Sequence, residues 1–548
     1  MTSADNSFNL AALQEAIAEA LPERECLVFR DRRFTWSQVT ERTRRFANHM
    51  LAQGLGHHAD RAGLSNWESG QDHVALYLHN GNEYLECMLG AFKSRTVPFN
   101  VNYRYVEEEL IYLLDNAQAK AIVYHARFAP MLRTLLPKLP QLKVLVQVQD
   151  DSGEPLLPGA VEYEAALAAA SPERPDVEWS PDDLYMLYTG GTTGMPKGVL
   201  WRQADVFTAA LGGRRKDGTP FESVEQVVER VETGRGVRLC PPPPMMHGAA
   251  HWGAFHTWHG GGTVIIQGEV LRFDAADLWA TVEREKVQAL LIVGDAFGRP
   301  IADALEQGDY DISSLKVLTN SGAALSADVK QRMLDLHPPL RIVDAMGSSE
   351  SGQQGRHISE GGKVSTGMFE PAPGACVLSA DLERVLAPGD DETGWFAQQG
   401  YVPLGYLGDE DKTRRTFPVV EGKRYSVPGD RARWQASGMV ELLGRDSVTI
   451  NSGGEKIFAE EVEAALKHHE AVYDAIVCGR PSERWGQEVC AVVQLAEGRD
   501  AQTADLLAEC EKHIARYKLP KQLRMVGTIE RNPSGKPDYR WARAQFPD

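Results

Sequence analysis

Cysteine is sparse in this sequence and irregularly placed. Seven residues (26, 87, 240, 376, 478, 490 and 510) are scattered over 548 positions, odd in number and without a C-x-x-C pair. That pattern excludes a disulfide framework and a thiolate zinc site, and it predicts buried or half-buried free thiols. No run of 18 or more apolar residues occurs, so no membrane span is expected. The first residues, MTSADNSFNLAALQEAIAEALPERE, lack a basic start followed by an apolar block. They do not read as a signal peptide, and a cytoplasmic location is expected. Positive charge is also short: 58 Lys and Arg stand against 76 Asp and Glu, a net charge of −18. Attraction to nucleic acid or to an anionic membrane is therefore not expected. An anionic substrate has to be held by local groups, which can prevail because exposed charges beyond about 8 Å are screened.

What is present is an ordinary globular composition, with 43% apolar and 24% charged residues. At roughly 100–200 residues per domain, the length predicts several lobes. QALLIVGD (288–295), LKVLTNSG (315–322) and LRIVDAMG (340–347) read as buried strands. Between the last two, SADVKQRMLDLH reads as a helix with Ser326 at its N-cap and Val329, Met333 and Leu336 on one stripe. The rhythm predicts an α/β fold, a large N-terminal lobe with parallel-rich sheets and flanking helices. Ligands in such folds collect beyond the carboxyl ends of the strands.

Near residue 445 the texture changes. GRDSVTINSGGEKIFAEEVEAALKHH is a polar glycine loop followed by a helix with Ile457, Phe458, Val462 and Leu466 on one side. DAIVCG, EVCAVVQL and QLRMVGTI then read as strands. This is a small α+β domain of about 100 residues, large enough for its own core. The expected division is 1–445 and 446–548. Before it, FESVEQVVERV sets Val224, Val227, Val228 and Val231 at helical spacing. It reads as a surface helix covering a lobe or as a wall near the substrate.

YTGGTTGMPKGV (188–199) follows an apolar run and holds four glycines, three threonines and a lysine. A plain loop, a phosphate cradle and a dinucleotide turn compete for it. Glycines let backbone N–H groups turn inward toward an anion, and Thr189, Thr192 and Thr193 add hydroxyl donors. The spacing departs from G-x-x-x-x-G-K-[ST], because no glycine precedes Lys197 and Pro196 disfavours helix at Met195. G-x-G-x-x-G is absent as well.

TGGTTGMPKG resembles the phosphate loop of the adenylate-forming superfamily, which comprises acyl-CoA synthetases, carrier-protein adenylation domains and luciferases. The other motifs follow in that family's order, so the resemblance covers nearly the whole chain. It implies that Thr189, Gly190, Gly191, Thr192, Thr193, Gly194 and Lys197 bind ATP. NSGAALS (320–326) is similar to the segment lying against adenine and acyl group, which implicates Ser321, Gly322, Ala323 and Ala324. DAMGSSESG (344–352) resembles the motif ending in Thr-Glu. Asp344, Ala345, Met346, Gly347, Ser348 and Ser349 would then line the ATP site, and Glu350, with Thr189, would hold Mg²⁺. Met346 stands where an aromatic is usual, which weakens stacking on adenine, and Ser349 replaces threonine but keeps the hydroxyl.

YSVPGDRARW resembles the motif whose aspartate, here Asp430, accepts from the ribose hydroxyls, and Arg445 would reach the same sugar. Asp446 and Ser447 fall at the family's hinge. Ser452, Gly453, Gly454 and Glu455 resemble the loop that lines the coenzyme A tunnel. NPSGKPDYRW resembles the terminal motif and supplies Lys536 as the catalytic lysine. PPPPMMHGAAHW places His247 at the gate of the acyl site. With it, Ala250, Trp252, Asp295, Ser321 and Met346 are the implied acyl pocket. Four histidines lie close together here (247, 251, 256 and 259), and packing or a gate is favoured over zinc because no cysteine or carboxylate partner is nearby.

The resemblance implies an ATP-dependent acid–CoA ligase that uses ATP, Mg²⁺ and coenzyme A and works through an acyl-adenylate. GSSE, INSGGEK and the long insertion before His247 resemble bacterial fatty-acyl synthetases, and among these the branch acting on steroid side-chain carboxylates. A fatty acid or a bulky alicyclic acid is the expected substrate. The alternatives are an enzyme loading a carrier protein and a non-catalytic nucleotide-binding protein. A homodimer is left open.

Overall fold

The computed structural model describes residues 7–546 except 192–193, 362–363, 365, 453–454, 483–485 and 533–534. The centre of the large lobe is a run of parallel strands. Glu25–Phe29, Thr263–Ile266, Arg238–Cys240, Ala289–Ile292, Val317–Ser321 and Arg341–Ser348 lie side by side in that order. Antiparallel strands from Gly352–Ser359 onward extend the same sheet. A second, five-stranded parallel sheet contains His73–Tyr77, Ala121–His125 and Val144–Val148. Thr263–Ile266, Ala289–Ile292, His73–Tyr77 and Val144–Val148 are short and buried at every position, as apolar strands between helical layers must be, whereas Val317–Ser321 and Arg341–Ser348 are only partly buried. The described cysteines are all buried and free.

The three strands read from the sequence form at Ala289–Ile292, Val317–Ser321 and Arg341–Ser348. The intervening helix spans Ala327–Leu336, with Ser326 as its N-cap residue. Val329 and Met333 are buried, but Leu336 is exposed, because the last turn runs past the edge of the core. The Ser326 hydroxyl does not cap the helix; it donates to Asp295 Oδ1 at 2.9 Å.

The small domain folds on a separate sheet. Val472–Ser482 and Gly486–Leu495 form its long antiparallel pair, Gln522–Val526 adds in parallel, and the Ile450–Ser452/Glu455–Ile457 hairpin closes the other edge. Ile457, Val462 and Leu466 are fully buried in its core. Ile457 is the last residue of a strand, however, and the helix begins at Ala459. The chain passes from the large sheet to the small one through a single 3-10 turn, Asp446–Val448.

Candidate active site

The glycine segment is the turn of a long hairpin, Leu184–Gly191 paired with Gly194–Arg202. Thr192 and Thr193 lie outside the described residues. Two asparagines fix the base of this hairpin against the neighbouring segment. Asn100 Oδ1 accepts from Tyr188 N at 2.7 Å, while its Nδ2 donates to the Tyr188 and Met246 carbonyls at 2.8 and 2.7 Å. Asn80 accepts from Met245 N at 2.7 Å and donates to Pro243 O at 3.0 Å. Together they set His247 next to the hairpin. Neither asparagine belongs to a recognisable motif; their role exists only in three dimensions.

One cavity of about 2140 Å³ joins the carboxyl ends of the parallel strands to the small domain. Thr189, His247, Ser321 to Ala324, Asp344 to Ser349, Asp430, Arg445 and Lys536 all line it. Lys197 is placed differently. It is absent from the cavity lining and forms an ion pair with Asp409, although the hairpin register pairs it with Thr189.

Lys536 reaches the cavity on a tight turn. Gly535 N donates to Asn532 O at 2.8 Å, Asn532 N to Lys536 O at 3.0 Å, and Arg531 Nη1 to Gly535 O at 3.0 Å. Gly535 has φ +76°, and a Cβ there would stand 2.9 Å from the Val293 carbonyl, so only glycine lets the turn approach this closely. Gly322 (φ +83°) lies under the side chain, where a Cβ would be 3.6 Å from Lys536 Cε. Lys536 counts as exposed, but what it is exposed to is the cavity. Desolvation and then the Arg445 charge lower its pKa to about 8, against the opposing pull of Glu350 and Asp430.

Asp430 and Arg445 face each other across adjacent strands, with Arg445 Nε 3.2 Å from Asp430 Oδ1. The second carboxylate oxygen of Asp430 is buried and has no hydrogen-bond partner among the described residues. A buried acceptor beside a fixed cation fits a ligand hydroxyl. Asp430, then Glu350, raise the pKa of Arg445 against the effect of its burial. Glu350 is oriented by the Tyr406 hydroxyl, which donates to Oε1 at 2.9 Å, and its carbonyl accepts from Ser426 Oγ at 2.5 Å. Trp201 Nε1 donates to Ser349 O at 2.9 Å. Asp344 is engaged by Lys330 at 2.6 Å and by Asn320 Nδ2 at 2.9 Å, so it braces the wall. The described residues contain no cluster of three His, Cys, Asp or Glu able to cage a metal. A carboxylate and a hydroxyl are hard oxygen donors that fit Mg²⁺, an ion that keeps waters and phosphate oxygens as most of its ligands.

On the acyl side, the helix Gly248–His259 turns one face to the cavity: Gly248, Ala249, Trp252, Gly253, His256 and Thr257. Ala250 lies on the opposite face and is part of the core rather than the pocket, since the helical period puts it beside Ala254 and Phe255. His247 stays neutral: burial, then the Lys536 charge, lower its pKa to about 3. His251 bonds Tyr185 and the Met245 carbonyl, and His259 bonds the Leu211 carbonyl at 2.7 Å. Asp295 reaches the cavity wall, but its carboxylate accepts from Ser326 N at 2.8 Å and lies 3.3 Å from Lys467 Nζ of the small domain. Met346 lines the cavity at a register shift in its strand and packs on a small neighbouring core.

Ser452 and Glu455 pair with each other at the tip of the small-domain hairpin, and neither is among the residues lining the cavity. Gly453 and Gly454 lie outside the described residues. The structure thus brings Lys536 into the cavity and leaves Ser452 and Glu455 out of its lining.

The AMP-binding enzyme family model matches residues 14–394, and that of the AMP-binding enzyme C-terminal domain matches 461–536. The medium-chain acyl-CoA ligase Mig of Mycobacterium avium is 52% identical over 546 residues, covering 100% of this chain and 99% of its own. The 3-oxocholest-4-en-26-oate–CoA ligase of Rhodococcus rhodochrous is 42% identical over 548 residues, covering 98% and 96%. The crystal structure of the anthranilate CoA ligase AuaEII with anthranoyl-AMP superposes with a TM-score of 0.82 at 20% identity, covering 100% and 99%, which shows a shared fold. By both matches, and by relatives similar from end to end, the chain belongs to the AMP-binding, adenylate-forming enzymes.

Proposed function

We infer that this protein is an AMP-forming acid–CoA ligase acting on medium- or long-chain fatty acids or on a steroid side-chain acid of the 3-oxocholest-4-en-26-oate kind. The activity and this range of acids are those of its full-length relatives. The observation that carries the reading is Lys536 held over Gly322 in the same cavity as Asp430, Arg445 and His247.

In the first half-reaction a substrate carboxylate oxygen attacks the α-phosphorus of ATP. The bond from that phosphorus to the bridging oxygen breaks and pyrophosphate departs. Two unit negative charges 4 Å apart repel by roughly 4 kcal/mol at an effective dielectric of about 20. Lys536 offsets this by lying between the carboxylate and the α-phosphate, while hairpin amides and Thr189 take the charge of the leaving group. Mg²⁺ held by Glu350 and Thr189 would supply further neutralisation of the phosphates. Neutral His247 packs beside the carboxylate without adding charge. Asp430 accepts from the ribose hydroxyls, with Arg445 fixing its orientation.

In the second half-reaction the sulfur of coenzyme A attacks the acyl carbon, AMP leaves, and the thiol proton goes to solvent. The 452–455 segment is the element we assign to the pantetheine, and its described residues Ser452 and Glu455 are not among those lining the cavity. We place the swing that exchanges it for Lys536 at Asp446–Ser447, where the chain crosses between the sheets. Such an exchange is a two-state domain rotation.

The test is ATP–pyrophosphate exchange over a panel of acids, followed by coenzyme A addition. Acid-dependent exchange without coenzyme A, and acyl-CoA plus AMP with it, are the expected results. Exchange with no thioester on coenzyme A would move the reading to carrier-protein loading. No exchange with any acid would end it.

A further inference from the structure

The small domain meets the large lobe beside the hinge through the first turn of its helix Ala459–Leu466. Its partner there is the end of the strand Val440–Arg445, the last strand before the 3-10 turn at Asp446–Val448. That strand end is fixed to the lobe. Gly444 pairs with Arg431, Arg445 pairs with Asp430, and Asp446 N donates to Gly429 O at 3.0 Å. Gly444 and Glu460 therefore belong to two bodies that separate in any rotation about Asp446–Ser447.

Glu460 lays its carboxylate on Gly444. A Cβ at 444 would stand 2.5 Å from Glu460 Oε2 and 3.1 Å from its Cδ, and Gly444 has φ +131°, so glycine alone admits the contact. The surroundings suit an anion poorly. Oε2 is buried and has no hydrogen-bond partner among the described residues, although the residue as a whole borders the cavity and is half-buried. A buried acceptor left unmet disfavours the state that buries it. From the lobe, Glu460 is faced by the Asp430 carboxylate and the Arg445 guanidinium. From its own domain it is faced by Glu463, one turn along the helix, and by Tyr539 of the helix Tyr539–Ala544. Burial, helped by Asp430, raises the Glu460 pKa to about 6 against the pull of its own N–H, the Arg445 N–H and the Arg445 charge.

We propose that Glu460 is a positioning residue that acts as a release spring: its unmet carboxylate works against the orientation that puts Lys536 in the cavity, and so favours the swing toward thioester formation. The proposal rests on the two-step ligase reading and on rotation at Asp446–Ser447. The Lys467–Asp295 pair holds the Lys536-in orientation and Glu460 opposes it, so that orientation does not trap the enzyme. After the swing the carboxylate meets water and titrates in the ordinary range. Above about pH 6 the Lys536-in orientation thus buries a charge and is disfavoured; as pH falls through 6 the carboxyl is protonated in place and the opposition fades. A ligand hydroxyl is not the missing partner, because Oε2 has no accessible face on the cavity.

The test measures the two half-reactions separately with a medium-chain fatty acid: ATP–pyrophosphate exchange without coenzyme A, and conversion by coenzyme A of acyl-adenylate formed on the enzyme. Glu460→Gln and Glu460→Met both remove the charge at nearly the same side-chain length. In each, exchange and KM for ATP should stay at the unmodified level, while thioester formation at pH 7.5 slows by roughly tenfold, about one pKa unit. The gap should close as pH falls to 5.5, where the unmodified carboxyl is itself neutral. Comparison at each pH cancels the ionisation of the thiol. Thioester formation at the unmodified rate at pH 7.5 overturns the spring. So does an equal loss of both half-reactions with a lower melting temperature, which marks a merely structural residue. A raised KM for ATP with thioester formation intact overturns it in favour of a nucleotide contact. A variant pair that does not fold overturns it as well, because a group that opposes docking is not needed to build the fold. Unmodified enzyme that exchanges pyrophosphate with no acid overturns the ligase reading instead.

Discussion

Lys467 Nζ, at the C-terminal cap of the small-domain helix Ala459–Leu466, lies 3.3 Å from Asp295 Oδ2, in the first turn of the large-lobe helix Asp295–Gln307. The same ammonium is 3.2 Å from Asp474, which is held in turn by Arg531 at 2.7 Å. Arg531 anchors the turn that presents Lys536. A chain of buried charges therefore links the large lobe to the catalytic turn. Burial opposes each charged form, yet the pairing outweighs it: Asp295 titrates below and Lys467 above the ordinary value.

Removing the charge of Asp295 while keeping its shape should weaken docking of the small domain with Lys536 in the cavity. Asp295→Asn retains an acceptor for Ser326 but leaves Lys467 only Asp474. The expected outcome is a loss of roughly tenfold to a hundredfold in ATP–pyrophosphate exchange, with thioester formation from supplied acyl-adenylate preserved. Equal losses in both half-reactions would show that the pair does no more than hold the fold.

Lys536→Ala should reduce pyrophosphate release by about 10²–10³, the scale for loss of one preorganised donor, and spare the second half-reaction. The pH dependence follows from the lowered pKa of about 8. The protonated ammonium is the working form, so kcat/KM for adenylation is full below that value and falls as pH rises through it. Bound triphosphate favours the cation, so the limb in kcat should lie at higher pH than the limb in kcat/KM. Neither limb should appear in Lys536→Ala. His247, neutral with a pKa near 3, contributes no acidic limb above pH 5.

Much of this arrangement is legible in the sequence because it is local. The parallel strands announce themselves as short apolar runs ending in glycine, and Asp430, Glu350 and Lys536 each sit in a stretch that resembles a motif of the adenylate-forming family. What escaped is set by cross-chain contact. Asn80 and Asn100 clamp segments more than eighty residues away. Tyr406 orients Glu350 across 56 positions. The resemblance implies Ala250 in the pocket, whereas the helical period turns it into the core, next to the cavity-lining Ala249. Lys197, which the resemblance assigns to ATP, pairs here with Asp409, 212 residues away, a contact that no local spacing reveals.

Asp430 tests the ribose assignment without touching the reacting atoms. Asp430→Asn removes the buried charge beside Arg445 and exchanges one acceptor for a donor. KM for ATP should rise by roughly tenfold to a hundredfold, the scale of a charge-assisted hydrogen bond. The unmodified enzyme should use ATP better than 2′-deoxy-ATP, and the variant should lose most of that preference. A variant that weakens ATP yet keeps the full preference would place the sugar hydroxyl elsewhere.

The magnesium assignment can be separated from the carboxylate's other contacts through Tyr406. Its hydroxyl donates to Glu350 Oε1, and burial together with the Glu350 charge holds its pKa well above the ordinary phenol value. It therefore remains a donor at any working pH and orients the carboxylate without sharing its charge. Glu350→Gln should raise the Mg²⁺ concentration needed for half-maximal pyrophosphate release and lower the maximal rate. Tyr406→Phe keeps the carboxylate but frees its rotation, so it should shift only the Mg²⁺ requirement, by up to about tenfold, the low end for loss of a group that orients a metal ligand. The two curves, measured at saturating ATP over a magnesium titration, distinguish the roles. If Tyr406→Phe lowered the plateau and left the midpoint in place, the tyrosine would be bracing the wall, and Glu350 would have to be held by other means.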